Sequence, residues 1–260
     1  MSEKSAWSPA QYGRFKEERS QPFFDLLARV RPIPGGRAID LGCGTGELTR
    51  VMHERSRAAQ TIGLDSSETM LAQSAAFAGD GLEFRQGDIA TFGEPESFDL
   101  VFSNAAIQWV PGHRDLFGRL AALLKPGGQL AIQMPANHDH VSHVAAHEVA
   151  AEEPFRRLLG GYIRDVPVEE PGFYASLLFD LGFGEQSVGL HVYPHVLAGP
   201  GEVVEWVKGS LLTDYERRLQ PDDFSAYLER YRAALMPRLA ADPGQPFFYG
   251  FKRVLMWGRR

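Results

Sequence analysis

Asp40-Leu41-Gly42-Cys43-Gly44-Thr45-Gly46-Glu47 is the stretch of this chain whose residue types and spacing most directly suggest chemistry. Three glycines spaced two apart, directly after a short apolar run, let a ligand lie against bare backbone where a β-carbon would intrude. A dinucleotide calls for G-x-G-x-x-G, with its pyrophosphate on a helix N-terminus. Here the spacing is G-x-G-x-G, and Glu47 stands where the last glycine of that motif would be. A carboxylate in the first helical turn repels pyrophosphate but not a ligand without phosphate. S-adenosylmethionine has no phosphate, and its sulfonium and ammonium are welcomed by Asp40, so the charge pattern favours a methyl donor over a nicotinamide. Asp65, about 20 residues beyond the turn, can accept from both hydroxyls of a ribose, a device that nicotinamide sites share. Asp88, in Gln86-Gly87-Asp88-Ile89, can receive an adenine amino hydrogen while Ile89 and Met70 cover the ring.

The elements that must position these residues alternate along the chain. Short apolar runs at 37–41, 60–65, 82–86, 97–103 and 129–134 read as strands. Helical patterns lie between them at 47–57, at 66–78 with Ser66 or Ser67 as cap, and at 116–124, where Lys125-Pro126-Gly127-Gly128 is read as the stop. This rhythm means right-handed βαβ units and a parallel sheet covered on both faces, with ligands outside the strands' carboxyl ends. Residues 7–30 read as helical, with Pro22 near the first turn of an apolar-periodic stretch, Phe23, Phe24, Leu26, Leu27 and Val30. After Pro135 the rhythm changes: 137–170 is His-rich and partly helical, 173–181 a helix, 187–197 a strand, 202–239 mostly helical with Pro221 opening a helix, and 247–257 a closing strand. The expected architecture is a single domain over 1–260. Residues 1–30 form an N-terminal helical lid, 36–135 the donor-binding core, 136–172 and 200–240 a helical cap, and 246–258 the final strand.

Composition narrows the class. With 260 residues, 44% hydrophobic and 23% charged, the chain is an ordinary globular sequence. Its net charge of −6 argues against a nucleic-acid surface. Cys43 is the one cysteine, so no intrachain disulfide forms. No apolar stretch has membrane-spanning length and no signal-peptide core opens the chain, so a cytoplasmic location with no membrane partner is expected.

Asp40 to Gly46, Asp65-Ser66-Ser67 with Met70, Gly87-Asp88-Ile89 and the end of the fourth strand at Asn104 resemble the class I S-adenosylmethionine-dependent methyltransferases. The chain is similar, more closely, to the trans-aconitate 2-methyltransferase family. That likeness is carried by Trp7, Pro9 and Tyr12, by Glu18-Arg19-Ser20 with Pro22, by Leu26-Leu27-Ala28-Arg29-Val30 and by Asn104-Ala105-Ala106-Ile107-Gln108-Trp109. Gln133-Met134-Pro135 with Asn137 and His143, and Glu205-Trp206-Val207, extend it. The resemblance implies a doubly wound, mostly parallel seven-stranded sheet with a helical cap. It also implies a donor site at Asp40, Gly42, Gly44, Gly46, Asp65, Ser66, Met70, Asp88, Ile89 and Asn104, and O-methylation of a small polycarboxylic acid to a monomethyl ester.

A carboxylate acceptor is ionised near pH 7, so no general base is needed and catalysis reduces to alignment and water exclusion. Gln108 and Trp109 are expected to position the acceptor, with Trp7, Tyr12, Arg19, His143 and Arg164 as its further contacts. Two positions depart from the family pattern: Lys208-Gly209-Ser210 stands where the family has an Arg-Pro pair, and Lys252-Arg253 where it has Pro-Arg.

Other chemistries stay open on the residues alone. A phenol, hydroxyl or amine acceptor would need a base such as His113, His138 or His143. A nicotinamide-type oxidoreductase, or a donor-binding protein without turnover, is the remoter reading. His140, His143 and His147 fall at i, i+3 and i+7, on one face if a single helix runs through them. With no H-E-x-x-H glutamate and no nearby cysteine, no metal is expected.

Overall fold

The structure, a computed structural model, describes residues 16–239 and 245–260, and the side chains from Ser20 onward. The elements are, in order, α1 (Lys16–Leu27), β1 (Arg37–Leu41), α2 (Glu47–Ser56), β2 (Gln60–Asp65), α3 (Glu68–Ser74), β3 (Leu82–Gln86) and β4 (Phe98–Asn104). There follow α4 (His113–Ala122), β5 (Leu124–Pro135), α5 (Val141–Ala151), α6 (Phe155–Leu158), α7 (Pro171–Asp180) and β6 (Glu185–Leu197). The chain closes with α8 (Glu202–Lys208), α9 (Thr213–Arg218), α10 (Pro221–Leu235) and β7 (Phe247–Arg259). One sheet carries all seven strands in the order β3-β2-β1-β4-β5-β7-β6. β1 to β5 pair in parallel, and β7 runs antiparallel to β5. The expected doubly wound, mostly parallel seven-stranded sheet is what forms.

Residues alternating along the strands build a core on each face, because successive strand side chains point to opposite sides. Ile39, Leu41, Ile62, Leu64, Val101, Leu130 and Ile132 pack with α4 and α7 on one side. Ala38, Leu100, Phe102, Ala131 and Trp257 pack with Phe23, Leu26 and Met52 of α1 and α2 on the other. Strands buried on both faces have almost no polar side to show, which is why their signal in the sequence is a short continuous apolar run.

The chain divides into two compact units. The larger comprises Arg19–Ala136, Pro167–His191 and Lys252–Arg260; the smaller includes Asn137–Val166 and Val192–Phe251. The smaller has its own apolar core, in which Trp206, Tyr215, Tyr227, Tyr231 and Tyr249 are wholly buried. Its α5 packs along α10, and two of the buried phenols find partners there: Tyr227 Oη donates to the Ala146 carbonyl at 2.7 Å and Tyr231 Oη to the Ser142 carbonyl at 3.0 Å. Among the described residues no helix is long and apolar enough to cross a membrane.

Several local expectations need correction. Lys125-Pro126-Gly127-Gly128 does not end α4 in a loop; α4 runs from His113 to Ala122 and these residues lie inside β5, where a register shift against β4 between Phe98 and Leu100 absorbs the irregularity. Of the two serines expected as cap of α3, Ser67 is the one, accepting from the Met70 N–H at 3.3 Å, while the helix ends sooner than expected, in a 3₁₀ turn at Ala75–Phe77. Pro22 sits within α1, directly before the buried Phe23, Leu26 and Leu27, and α1 ends at Leu27, short of Val30. His140 precedes α5 as its cap, its Nδ1 accepting from the Ser142 N–H at 3.1 Å, so it does not share a helical face with His143 and His147.

Candidate functional site

β1 lies between β2 and β4, so successive connections leave it in opposite directions and the strand order reverses there. Open α/β sheets bind ligands at such a switch point, outside the carboxyl ends of the strands. Two loops meet at it: 42–46 after β1, and 105–109 after β4. Gly42 has φ +80°, and a β-carbon on it would stand 2.1 Å from Cβ of Ala106. Ala106 is placed by Ala105, which holds the left-handed φ of +55° without being glycine. Strain of this kind persists only where the surroundings enforce it, and it concentrates at functional sites. Ser103 Oγ ties the two strands together by donating to the Leu41 carbonyl at 2.7 Å.

The glycine loop is a cradle. The N–H groups of Gly42 and Cys43 both donate to the Leu64 carbonyl, at 2.7 and 3.0 Å, folding the loop over the end of β2. Gly44 also has a positive φ, +56°, yet a β-carbon there would meet nothing nearer than Met70 Cε at 3.7 Å. The protein therefore leaves that side of the loop open. Gly46 caps α2, where a β-carbon would lie 2.6 Å from Phe84 Cζ. Cys43 is buried, and burial pushes its thiol well above the ordinary range, so it is an inert packing residue.

The three expected carboxylates differ in their surroundings. Asp65 accepts from the Gly44 N–H at 2.9 Å through Oδ2 and from the Ser67 N–H at 2.8 Å through Oδ1, which fixes its carboxylate beside the open face of Gly44. Asp88 is exposed, with Oδ1 accepting from the Ala90 N–H at 2.8 Å. Ile89 Cδ1 lies 3.7 Å from the position a Gly42 β-carbon would take. Asp40 is buried and accepts from Thr49 Oγ1 at 2.6 Å; burial first, opposed by that hydrogen bond and aided by the charge of Asp65, raises it to about 7. Ser66 offers its backbone carbonyl to Gln86 Nε2 at 3.2 Å.

On the facing loop, Asn104 Oδ1 accepts from Gln133 Nε2 at 2.6 Å, and Gln133 Oε1 accepts from Nη1 of buried Arg253 at 3.0 Å. Gln108 Nε2 donates to the carbonyl of strained Ala105 at 2.7 Å, while its Oε1 is buried without a hydrogen-bond partner. Trp109 is 40% exposed. Thr49 and the Gln133–Arg253 pair are not among the expected site residues, because their hydrogen bonds join positions that no local pattern links.

His113 is corrected as a candidate base. Its Nδ1 lies 2.6 Å from Tyr174 Oη and its Nε2 3.2 Å from the Ile107 carbonyl, so both nitrogens are committed to holding α4. The smaller unit holds the other predicted contacts. Arg164 Nη1 donates to the Ser210 carbonyl at 3.0 Å and its Nε lies 3.6 Å from Asp214 Oδ2. His143 Nδ1 is 3.1 Å from Ser142 Oγ; burial first, then the charge of Arg164, lowers it to about 3. Trp7 and Tyr12 lie outside the described residues, as does the side chain of Arg19.

These residues fit S-adenosylmethionine on the structure's own terms: a cradle open at Gly44, a fixed carboxylate beside it at Asp65, a buried acid at Asp40, and Glu47 in the first turn of α2 where a phosphate would sit. A family described as a methyltransferase domain matches residues 39–132. A structure of an S-adenosylmethionine-dependent methyltransferase from Mesorhizobium loti superposes with a TM-score of 0.51 at 22% identity, over 93% of this chain and 98% of that one. The matched domain is a methyltransferase domain, and the fold is one that this S-adenosylmethionine-dependent enzyme shares. The trans-aconitate 2-methyltransferase of Deinococcus radiodurans is 44% identical over 98% of both chains. That of Streptomyces avermitilis is 40% identical over 96% of this chain and 95% of its own. The chain belongs to the trans-aconitate 2-methyltransferase family.

Proposed function

We propose that the protein methylates one carboxylate of trans-aconitate, or of a closely similar small polycarboxylic acid, to the monomethyl ester. The observation that carries this reading is full-length similarity to relatives named for that reaction. Two of the three candidate bases support it: His113 has both nitrogens committed, and His143, lowered to about 3, is too weak a base for a hydroxyl or an amine.

S-adenosylmethionine, when bound, supplies an electrophilic methyl group whose bonding electrons leave with sulfur. Gly44 gives its methionine part bare backbone, in a loop whose close packing on Ala106 and Phe84 needs glycine at Gly42 and Gly46, and Asp40 meets its positive charge. Asp65 accepts from the ribose hydroxyls, with Ser66 beside it. Met70, Asp88 and Ile89 surround the adenine, and Asn104 is held for the donor by Gln133 and Arg253. Gln108 and Trp109 align the acceptor oxygen, whose lone pair is already available, and no residue moves a proton. The family resemblance supplies His143, Arg164, Trp7, Tyr12 and Arg19 as the further contacts of the acceptor.

Mass spectrometry of purified protein with S-adenosylmethionine and trans-aconitate, beside citrate and a simple monoacid, tests the reading. S-adenosylhomocysteine with a monomethyl aconitate is expected; donor binding without any polyacid ester would overturn the substrate. Because the acceptor is ionised far below neutrality, kcat/KM for it at saturating donor should be flat above about pH 6. A rise through the histidine range would mark a protonated acceptor.

Asp40 makes donor binding pH-dependent. The folded protein keeps this proton up to about 7, whereas the ordinary carboxyl value is 3.8. The native state therefore holds more protons between those values, and unliganded stability falls as pH rises through that window. A bound cation favours the ionised form, so donor affinity should rise about fivefold from pH 6 to pH 7 and then level off. Calorimetry in buffers of different ionisation heat should show proton release at pH 6 that Asp40→Asn abolishes. An affinity independent of pH across this range would remove Asp40 from the donor's charge.

A further inference from the structure

We infer that Gln108 Oε1 is held for the reactive methyl of the donor, so that one carboxamide serves both reacting groups; this rests on the donor site and the acceptor alignment proposed above. Gln108 Oε1 is buried without a hydrogen-bond partner, and native interiors rarely leave such an atom unmatched. The other end of the amide is fixed. Nε2 donates to the Ala105 carbonyl at 2.7 Å, and this settles which end is oxygen, since a flipped amide would set two oxygens against each other. Ala105 is itself tied down, with φ +55° and its N–H on the Gln133 carbonyl at 2.9 Å. The next residue, Ala106, closes against Gly42 of the donor cradle, and both loops belong to the larger unit. The bare oxygen therefore stands on a rigid loop that abuts the cradle.

Chemistry narrows what can meet that oxygen. An amide oxygen accepts and never donates, so the ionised carboxylate of the acceptor is the wrong partner for it. Nε2 keeps a second hydrogen, and that end of the amide suits the attacking oxygen. Of the donor's own groups, Asp88 takes the adenine amino group, Asp65 the ribose hydroxyls and Asp40 the charge on the methionine part. The sulfonium methyl is left. Its hydrogens are polarised by the positive sulfur, and a carbon-bound hydrogen of this kind makes a weak bond to an oxygen acceptor. With no water at Oε1 the attraction is poorly screened. Methyl carbon and attacking oxygen come within about 3 Å in a near-attack arrangement, and the two ends of one amide can flank such a pair.

Calorimetric titration of the full chain with three ligands, without acceptor, tests this. S-adenosylhomocysteine lacks the methyl and the sulfonium charge, S-adenosylmethionine has both, and sinefungin carries an ammonium where the methyl would be. Gln108→Met keeps the side-chain length and removes both polar ends. S-adenosylhomocysteine affinity should be unchanged, while S-adenosylmethionine should bind about threefold more weakly, the weight of a carbon hydrogen bond. Sinefungin should lose about 10-fold or more, the loss of a hydrogen bond from a charged group. The unliganded variant should melt close to wild type, because the lost bond to Ala105 is offset by removing a dry, unmatched oxygen. An equal loss for all three ligands overturns the inference, since Oε1 would then meet the ammonium they share or merely hold the loop; no loss for any overturns it too. Should Gln108→Met fail to fold, Gln108→Glu decides: its carboxylate should raise the preference for sinefungin over S-adenosylhomocysteine, and an unchanged preference overturns the inference. A wild type that binds none of the three overturns the donor site itself, and this inference with it. A wild type that binds all three upholds the donor site whatever the variants show.

Discussion

Gly44→Ala is expected to abolish donor binding while leaving the fold almost intact, and Gly42→Ala to damage both. At Gly44 an alanine must hold φ +56°, a left-handed value that costs about 1–2 kcal/mol. Its β-carbon meets only Met70 Cε at an ordinary 3.7 Å. The new methyl therefore projects into the space the protein keeps for its ligand, and S-adenosylhomocysteine affinity should fall roughly 100-fold or more, the work of about 3 kcal/mol. At Gly42 the β-carbon would lie 2.1 Å from Cβ of Ala106, itself fixed by strained Ala105, so backbone must move. Forced overpacking and strain together predict about 2–4 kcal/mol lost from the unliganded protein. Thermal melts with and without S-adenosylhomocysteine separate the two effects. A Gly44→Ala protein that binds it normally would show that the donor does not lie against this loop.

Asp65→Ala should be nearly as severe, for a different reason. The carboxylate organises before it binds, since it holds the Gly44 N–H at 2.9 Å and the Ser67 N–H at 2.8 Å. Removing it strands a loop donor, loosens the start of α3, and deletes the acceptor for the ribose hydroxyls. Hydrogen bonds to a charged group are worth about 1.5–3 kcal/mol each, so S-adenosylhomocysteine should bind roughly 100- to 1000-fold more weakly. Asp65→Asn keeps one acceptor oxygen and turns the other position into a donor facing an N–H, so an intermediate loss is expected. Isothermal titration of the three proteins gives the order directly, and an alanine variant within threefold of wild type would refute the assignment.

The donor half of the molecule was legible because its information is local. A strand buried on both faces reads as a short apolar run, and a loop that must admit a ligand reads as glycine, so β1, β2, β3 and the 42–46 turn stand where the pattern puts them. The signals that misled were also local. Lys125-Pro126-Gly127-Gly128 has the composition of a stop, yet β5 begins at Leu124 and carries the irregularity as a register shift. The His140 to His147 spacing suggests a helical stripe, but an imidazole can cap a helix, and His140 does. What could not be read at all depends on pairs far apart in the chain. Thr49 reaches Asp40 across the whole glycine turn, and Arg253 finds Gln133 from the far end of the sequence. The positive φ of Ala105 leaves no trace in composition, because alanine takes the place where glycine would have announced the bend.

The antiparallel pairing of β5 with β7 has a consequence for synthesis. Gln129 to Pro135 is finished on the ribosome long before its partners, Arg253 to Arg259, exist. Until then the nascent sheet ends on a strand of buried apolar side chains with its backbone donors and acceptors unmatched, the kind of border that recruits the wrong neighbour. Bringing the two strands together closes a loop of more than a hundred residues, a contact of high order that forms slowly. The last strand to be made is thus the one that seals the sheet. The longer the intervening chain takes to be translated, the longer this border stands open to a wrong partner.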